Sequence, residues 1–280
     1  MPRISPKITE RFAKLTLWSA AIFTIGALIF VIGFVLAGGL KHISWSFLTE
    51  PILDMGRAGG ILPAIVGTLL MVFVAVGIAA PLGVASAIYL AEYTREGNVT
   101  KAIRFGINCL AGVPSIIFGL FGFILFVVIL GFGWSILSGG LSLAAMILPT
   151  IIRTAEEALR AVPASYRDVA ASLGATRWQV VTRAVLPYAL PGILTGVILG
   201  IGRSIEETAV VIFTAGSAVQ MPTSLFDSAR TMAVHFYILA REGISNDMAY
   251  ATAAVLIITI LIINISAYTM MHRLTKGKRA

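Results

Sequence analysis

Residues 105–152 read FGINCLAGVPSIIFGLFGFILFVVILGFGWSILSGGLSLAAMILPTII, 48 residues without an Asp, Glu, Lys or Arg. An α-helix needs about 20 apolar residues to cross about 30 Å of bilayer hydrocarbon, so this stretch is long enough for two crossings. Turn-forming residues concentrate between its two halves, at Gly131, Gly133, Ser138, Gly139 and Gly140. We therefore predict a break in this region and two membrane-spanning helices, at about 107–131 and 135–152.

The rest of the chain has the same character. Apolar residues make up 58% of it, and only 12% are charged, against about 25% in soluble domains. A mean hydropathy of +0.94 argues against a disordered chain and against a soluble enzyme. Further apolar runs predict four more crossings. The expected fold is an all-α integral membrane protein with six spans, at about 15–37, 60–82, 107–131, 135–152, 188–214 and 248–271.

Lys and Arg residues fall mostly on one side of these six spans. Sixteen of the 21 lie in the amino-terminal tail, the loop after the second span, the 153–187 loop and the carboxyl tail. Because Lys and Arg are enriched in cytoplasmic loops, we expect both termini and the 153–187 loop in the cytoplasm of a multi-pass cell-membrane protein. The apolar core of the first span exceeds the roughly 7–15 residues of a signal peptide, so we interpret that span as an uncleaved anchor.

The sequence offers no pattern for a metal, cofactor or nucleotide site. It has one cysteine, Cys109, and its three histidines lie far apart, so no disulfide framework and no metal site are expected. No stretch matches the phosphate-binding GxxxxGK[ST] loop, so any ATP hydrolysis must reside on a separate polypeptide. The net charge of +8 sits in short clusters between apolar runs, which indicates membrane lipid rather than nucleic acid as the partner.

The longest cytoplasmic loop, 153–187, carries helix signals of its own. Ser165 is expected to cap a short helix, with Asp168 three residues on, and Thr176 is expected to cap a second. Between them, Gly174 permits a left-handed turn. The pattern predicts a helix–turn–helix that protrudes into the cytosol and either enters a groove of a partner or serves only as a rigid connector.

The same loop resembles the EAA loop of ABC importer permeases. Asp168-Val169-Ala170, then Gly174, then Ala184-Val185-Leu186-Pro187 follow that pattern, with Asp in place of the usual Glu. The resemblance implies a coupling helix that docks into the ATP-hydrolysing subunit, and Tyr166 and Arg167 are expected to anchor this helix. The residues expected to take part in ATPase coupling are Tyr166, Arg167, Asp168, Ala170, Ala171, Gly174, Leu186 and Pro187.

A narrower resemblance extends over nearly the whole chain. The stretches Gly59–Pro63, Tyr89–Tyr93, Gly112–Leu120 and Arg203–Ala209 are similar to the A-type permeases of phosphate-specific ABC importers, of the MetI-like type I fold. The resemblance implies alternating access and three kinds of partner: a related C-type permease, two copies of an ATPase and an extracytoplasmic phosphate-binding protein. It also implies a tail, first helix and external loop over 1–58, a five-helix transmembrane domain over 59–273, and a basic tail over 274–280.

Three charged residues, Arg203, Glu206 and Glu207, fall inside the predicted fifth span. One such group at mid-bilayer costs about 2.5–3.5 kcal/mol, so the groups must pair, snorkel or line water. A helix would let either acid meet Arg203, since they lie three and four residues away. One interpretation is a structural ion pair. The other is an anion relay in which Arg203 binds phosphate oxygens and Glu207 holds the guanidinium in place and lowers its affinity for the anion. The resemblance supports the relay, and the role of Glu206 stays open.

Other functions remain possible on the sequence alone. The permease could carry sulfate, molybdate or another oxyanion. An ion-driven secondary carrier would use Glu206 or Glu207 as its proton site. A membrane scaffold would carry nothing at all.

Overall fold

The computed structural model describes residues 6–276, which are mostly helical. In the first half, the helices are α1 (Pro6–Gly39), α2 (Trp45–Thr49), α3 (Leu62–Ile88), α4 (Asn98–Ala111) and α5 (Ser115–Gly122). Strands β1 (Ile52–Leu53) and β2 (Ala58–Gly59) pair antiparallel between α2 and α3. Wider, π-helical turns extend two of the helices, Tyr89–Tyr93 after α3 and Phe123–Ile129 after α5.

The second half contains the remaining spans and the 153–187 loop. Its helices are α6 (Ile136–Arg160), α7 (Ala164–Ser172), α8 (Arg177–Gln179), α9 (Leu186–Glu206), α10 (Ala209–Thr214), α11 (Met232–Arg241) and α12 (Asn246–Lys276). Within the described part of the chain, five helical segments are long and apolar enough to cross a membrane, and the bent pair Asn98–Ala111 and Ser115–Ile129 makes a sixth. The predicted all-α membrane fold is confirmed, with one of its six spans broken.

Helix α6 lies at the centre of the bundle. In its most apolar window 67% of the residues are buried, against none in that of α1. Helices α3 and α9 pack along α6, and α12 packs on α1, α9 and α11. Gly139 and Gly140 lie inside α6, contrary to the predicted break. They serve close packing of α6 on α3 instead, because a Cβ at Gly140 would clash with Cγ1 of Val74. The break lies upstream, at Gly131 and Gly133, which have φ values of +69° and +65°.

The predicted third span, 107–131, is not one straight helix, because it is broken at residues 112–114. Helices α4 and the 115–129 segment meet at an angle of 98°. Pro114 is extended, with φ −57° and ψ 141°. Helix α4 ends before it, because a proline has no N–H for the helix and disfavours helical geometry in the residue before it. Helix α4 is strongly amphipathic and carries Lys101 and Arg104, so the more apolar part of this broken span begins with α5.

The fifth span was predicted as one crossing over 188–214, and this is wrong at both ends. The helix runs without interruption from Arg177 to Glu206, through a π-helical turn at Val180–Val185 that precedes Pro187. Local π adjustments are a known way to admit prolines into membrane helices. The helix then stops, because Glu207 is extended, with φ −72° and ψ 129°.

The 153–187 loop forms the predicted helix–turn–helix. Gly174 has a φ of +81°, and Thr176 and Gln179 form a reciprocal capping box at the start of α8. The predicted cap at Ser165 is wrong. Pro163 is extended, and its carbonyl already accepts the Tyr166 N–H at 3.2 Å. Helix α7 therefore starts at Ala164, and Ser165 lies within its first turn.

The segment after α10 contains α11, which begins after Phe226. Its His235 is only 1% exposed and packs inside the fold. Arg3 and residues 277–280, which count toward the basic cytoplasmic tails, lie outside the described residues.

Candidate functional site

Arg203 lies at the edge of a cavity of about 450 Å³ between α6, α9 and α12. Its side chain occupies the last turn of α9 and is half-buried. The cavity is mixed in character, with apolar walls and several polar groups. Its lining comprises Thr150, Ile198, Leu199, Gly202, Arg203, Glu206, Ile260, Asn264 and Tyr268.

Two polar residues of α12, Asn264 and Tyr268, line this cavity, and Asn264 lies at the depth of Arg203. Helices α9 and α12 run antiparallel, and Thr195 Oγ1 contacts Met271 Sδ at 3.8 Å. Eight residues from Thr195 to Arg203 rise about 12 Å along α9, and the same rise along α12 reaches the turn of Asn264. Sequence analysis did not identify these two residues. The available signal was an amide and a phenol in a membrane span, where polar groups usually mark a function.

The predicted contact between Arg203 and Glu207 is not formed. Because Glu207 lies beyond the end of α9, its side chain turns to the next helix and its Oε1 accepts the Val210 N–H at 3.3 Å. Over residues 6–276, no carboxylate oxygen lies within 4.0 Å of the Arg203 guanidinium. Arg203 therefore presents its donors to the cavity.

Glu206 is the acid that shares the cavity with Arg203. It is the last helical residue of α9 and its side chain is exposed. The cavity thus holds one permanent positive charge and one carboxylate, together with the neutral donors of Thr150, Asn264 and Tyr268. Such a set can attract an anion without holding it too tightly to leave.

In the 153–187 loop, α7, Gly174 and α8 form a second candidate site. Asp168, Ala171 and Gly174 are exposed on it and Ala170 is half-buried. Three large apolar side chains of this loop are also exposed: Val169 at 61%, Leu173 at 82% and Trp178 at 64%. Sequence analysis did not single out these three. Exposed apolar groups on a water-facing protrusion are typical of a surface that another protein covers.

The two predicted anchors of this loop, Tyr166 and Arg167, contact the body of the same chain. The ring centroids of Tyr166 and Tyr188 are 4.4 Å apart, which joins α7 to α9. Arg167 Nη2 donates to Glu92 Oε1 at 2.6 Å, at the end of the second span. Leu186 and Pro187 lie half-buried at the start of α9, where Leu186 packs on the cytoplasmic core.

A second group of charges lies beside this loop and was also missed. Glu156, on α6, accepts hydrogen bonds from Arg104 Nε at 2.7 Å and Arg160 Nε at 3.1 Å. Glu96 binds the same two arginines, and their hydrogen bonds hold its pKa below the usual value. Sequence analysis could not pair Arg104 with Glu156, since 52 residues separate them. The network fixes α4 against α6.

Metal binding finds no support in the described residues. Over 6–276 there is no cluster of three or more His, Cys, Asp or Glu side chains that could hold an ion.

Comparison with known proteins agrees with this architecture. A family profile described as "Binding-protein-dependent transport system inner membrane component" matches residues 79–280. The "Probable ABC transporter permease protein YqgI" of Bacillus subtilis is 32% identical, over 93% of this chain and 94% of its own. "Phosphate transport system permease protein PstA 1" of Mycobacterium tuberculosis is 30% identical over 98% and 91%, and PstA of Pasteurella multocida is 34% identical over 89% of each.

Solved structures show the same fold at lower sequence identity. An inward-facing structure of the MetNI methionine ABC transporter matches 77% of this chain and 96% of that one, with a TM-score of 0.64 at 22% identity. A bacterial alginate ABC transporter matches 98% and 99%, with a TM-score of 0.70 at 18% identity. The chain therefore belongs to the family of binding-protein-dependent transport system inner membrane components and is a permease subunit of an ABC importer, not an enzyme.

Proposed function

We propose that this permease is the A-type subunit of an ATP-driven phosphate importer and forms half of the translocation pathway. The observation that carries the proposal is the half-buried guanidinium of Arg203, which faces a cavity between three spans without a carboxylate against it. Relatives of this chain that are named as phosphate permeases, at 30% and 34% identity, support the choice of phosphate.

The chemistry of the cavity suits a tetrahedral oxyanion. A guanidinium offers several fixed N–H donors and stays charged at every physiological pH. Asn264, Tyr268 and Thr150 can add neutral hydrogen bonds from α12 and α6. The carboxylate of Glu206 repels the anion, which keeps binding weak enough for release. The carboxylate of Glu207 accepts the N–H of Val210. Glu207 therefore acts on the pathway only indirectly, as the extended residue at which α9 ends.

ATP hydrolysis takes place on a separate subunit, and α7 with α8 is the proposed docking surface for it. Leu173, Val169 and Trp178 supply the apolar contact, and Asp168, Ala171 and Gly174 lie exposed beside them. The alginate transporter of the same fold was solved with a bound periplasmic protein, which supports an external binding protein as a further partner. The full proposal comprises two ATPase copies, a C-type permease and a phosphate-binding protein, with both termini of this chain in the cytoplasm.

Transport would follow alternating access. Closure of the ATPase pair moves the two coupling helices, and the spans rock between an inward and an outward opening around a fixed anion site. This chain supplies the path and the mechanical contact, and it forms no covalent bond to the anion.

The decisive experiment is uptake of labelled phosphate into proteoliposomes that hold the complete complex, with ATP inside or omitted. We expect ATP-dependent uptake that excess unlabelled phosphate abolishes and sulfate and molybdate leave unchanged. Stronger competition by sulfate or molybdate would reassign the substrate to another oxyanion. Uptake that a protonophore abolishes at constant ATP would identify a secondary carrier, and no flux at all would indicate a scaffold.

Docking has its own test by site-directed cross-linking. In a Cys109→Ser background, a cysteine at Ala171 should cross-link to the ATPase subunit, because Ala171 is exposed on α7. The control variant is Phe226→Cys, which is 61% exposed on the opposite side of the proposed membrane and should give no such product. A complex in which residues 165–175 never meet the ATPase contradicts the proposal.

A further inference from the structure

The contact between Arg167 and Glu92 has a geometry that surface ion pairs lack. Arg167 Nη2 lies 2.6 Å from Glu92 Oε1, and its Nε lies 3.1 Å from Oε2, so the guanidinium grips both carboxylate oxygens. The Glu92 side chain is only 8% exposed and that of Arg167 26%. Charge-assisted, bidentate and shielded from water, the pair is of the strong and directional type.

The same guanidinium also closes the cytoplasmic end of α6. Its Nη1 donates to the Val162 carbonyl and its Nη2 to the Leu159 carbonyl, both at 2.8 Å. Carbonyls at the end of a helix lack partners within the helix, and a cation there is favourable. Arg167 therefore joins three elements: its own α7, the end of α6 and the π-helical turn that carries Glu92.

These two partners belong to the part of the bundle that packs most extensively. Helices α3 and α6 have the largest mutual contact in the fold, and α6 is its most buried span. Apart from this pair, α7 reaches the bundle along the chain, through the turns at 161–163 and at Gly174, and through the ring contact of Tyr166 with Tyr188 on α9. A hydrogen-bonded, buried pair is stiff, whereas such turns are hinges that absorb motion.

We propose that Arg167 and Glu92 form a strut that passes the movement of the coupling helix directly into the second and fourth spans. Arg167 is thus a positioning residue that faces its own bundle, and the apolar side chains of the loop make the contact with the ATPase. This inference rests on the proposed ATP-driven function.

The test measures coupling in the complete complex, reconstituted in lipid, with three readouts. They are recovery of the ATPase subunit on purification, its basal hydrolysis, and the stimulation of hydrolysis by the external binding protein loaded with phosphate. For Arg167→Ala and for Glu92→Gln we expect normal recovery, basal hydrolysis within about twofold, and at least a fivefold loss of stimulation. The amount of phosphate carried per ATP should fall by the same factor.

The double variant decides whether the two residues act through each other. If they form one strut, Arg167→Ala with Glu92→Gln loses no more stimulation than either single change. If the double variant loses stimulation by the product of the two single losses, the two residues act independently and the proposal is overturned. Loss of the ATPase subunit from Arg167→Ala would also overturn it, since Arg167 would then belong to the docking surface.

Two further variants guard against simple misfolding. Arg167→Lys keeps the charge but cannot form the fork, so it should fold and still lose about threefold in stimulation; wild-type stimulation would contradict the strut. Arg153→Ala is the matched control, because Arg153 likewise forms an ion pair with a glutamate, Glu157. In that pair both side chains are at least 60% exposed. It should behave as wild type. If the wild-type complex shows stimulated hydrolysis but no phosphate uptake, the proposed substrate is refuted. The role of Arg167 and Glu92 can then still be tested by the stimulation of hydrolysis.

Discussion

Glu207 lies one residue beyond the helix that carries Arg203, and the end of that helix separates the two charges. In a continuous helix their spacing of four residues would bring them together on one face. In the fold, Glu207 accepts the Val210 N–H and Arg203 faces the cavity with Asn264. A single extended residue thus leaves the half-buried Arg203 facing the cavity without the expected ion pair.

Removing this cation should stop transport. We expect Arg203→Ala to assemble normally and to lower ATP-driven phosphate uptake by about two orders of magnitude, because a hydrogen bond to a charged group contributes about 1.5–3 kcal/mol and the positive charge is lost as well. The measurement is uptake by proteoliposomes of the complex. Arg241→Ala serves as control, since Arg241 is exposed at the end of α11 and does not line the Arg203 cavity. Normal uptake by an intact Arg203→Ala complex would refute the role of this residue.

Close packing at Gly140 predicts a loss of stability. A Cβ at this position would stand 2.4 Å from Val74 Cγ1, whereas at Gly77 nothing lies within 4 Å. Gly140→Ala should lower the free energy of unfolding by about 1–3 kcal/mol. Gly77→Ala should be neutral or raise it by up to about 1 kcal/mol, because alanine favours helix. Thermal unfolding in detergent compares the two, and adding Val74→Ala should restore the Gly140 variant.

Two adjacent glutamates on α6 should differ strongly in their contribution to stability. The Glu156 side chain is 10% exposed and binds Arg104, which is itself 21% exposed. Removing one partner of such a buried pair costs about 3–5 kcal/mol, so Glu156→Ala should unfold far more easily than wild type. Glu157→Ala breaks only an exposed pair with Arg153 and should cost at most about 1 kcal/mol. Equal effects of the two changes in thermal unfolding would contradict this account of the network.

The part of the protein around α11 should lose stability in mild acid. Burial, and then the charge of Arg230, lower the pKa of His235 to about 4 from its ordinary 6.5. Arg230 Nη1 donates to His235 Nδ1 at 3.2 Å, which requires a neutral ring. Between pH 6.5 and 4 the unfolded chain binds more protons than the folded one, so stability falls as the pH falls.

The size of this effect follows from the shift in pKa. A difference of about 2.5 pKa units corresponds to about 3 kcal/mol, as an order of magnitude. The unfolding midpoint should therefore drop across pH 6.5 to 4 in wild type, and much less in His235→Gln, which keeps an acceptor but does not titrate. An identical pH profile for the two proteins would contradict the assignment to His235.

The sequence alone determined the class of the fold and most of its helices. Long apolar runs can only be helices in a membrane, because lipid offers no partner for backbone N–H and C=O groups. Local signals in the cytoplasmic loop were equally reliable where a single residue type decides the geometry. Gly174 takes the left-handed conformation and Thr176 forms its capping box as predicted.

Sequence patterns failed where distant residues decide the geometry. The residues Gly139 and Gly140 have the composition of a turn, yet they lie inside a helix. Glycine is needed at these positions because Val74 and Ala215 fill the space that larger side chains would occupy. Glu92 has the pattern of an interfacial residue, and only the fold brings it to Arg167, 75 residues away.

The end of α9 and the contents of the Arg203 cavity were likewise decided by tertiary structure. No local signal places the helix end between Glu206 and Glu207, or aligns Asn264 and Tyr268 with Arg203. Solvation of the backbone and the period of the helix act locally and can be read from the chain. Which charge meets which partner depends on packing between spans, and that packing exists only in the folded bundle.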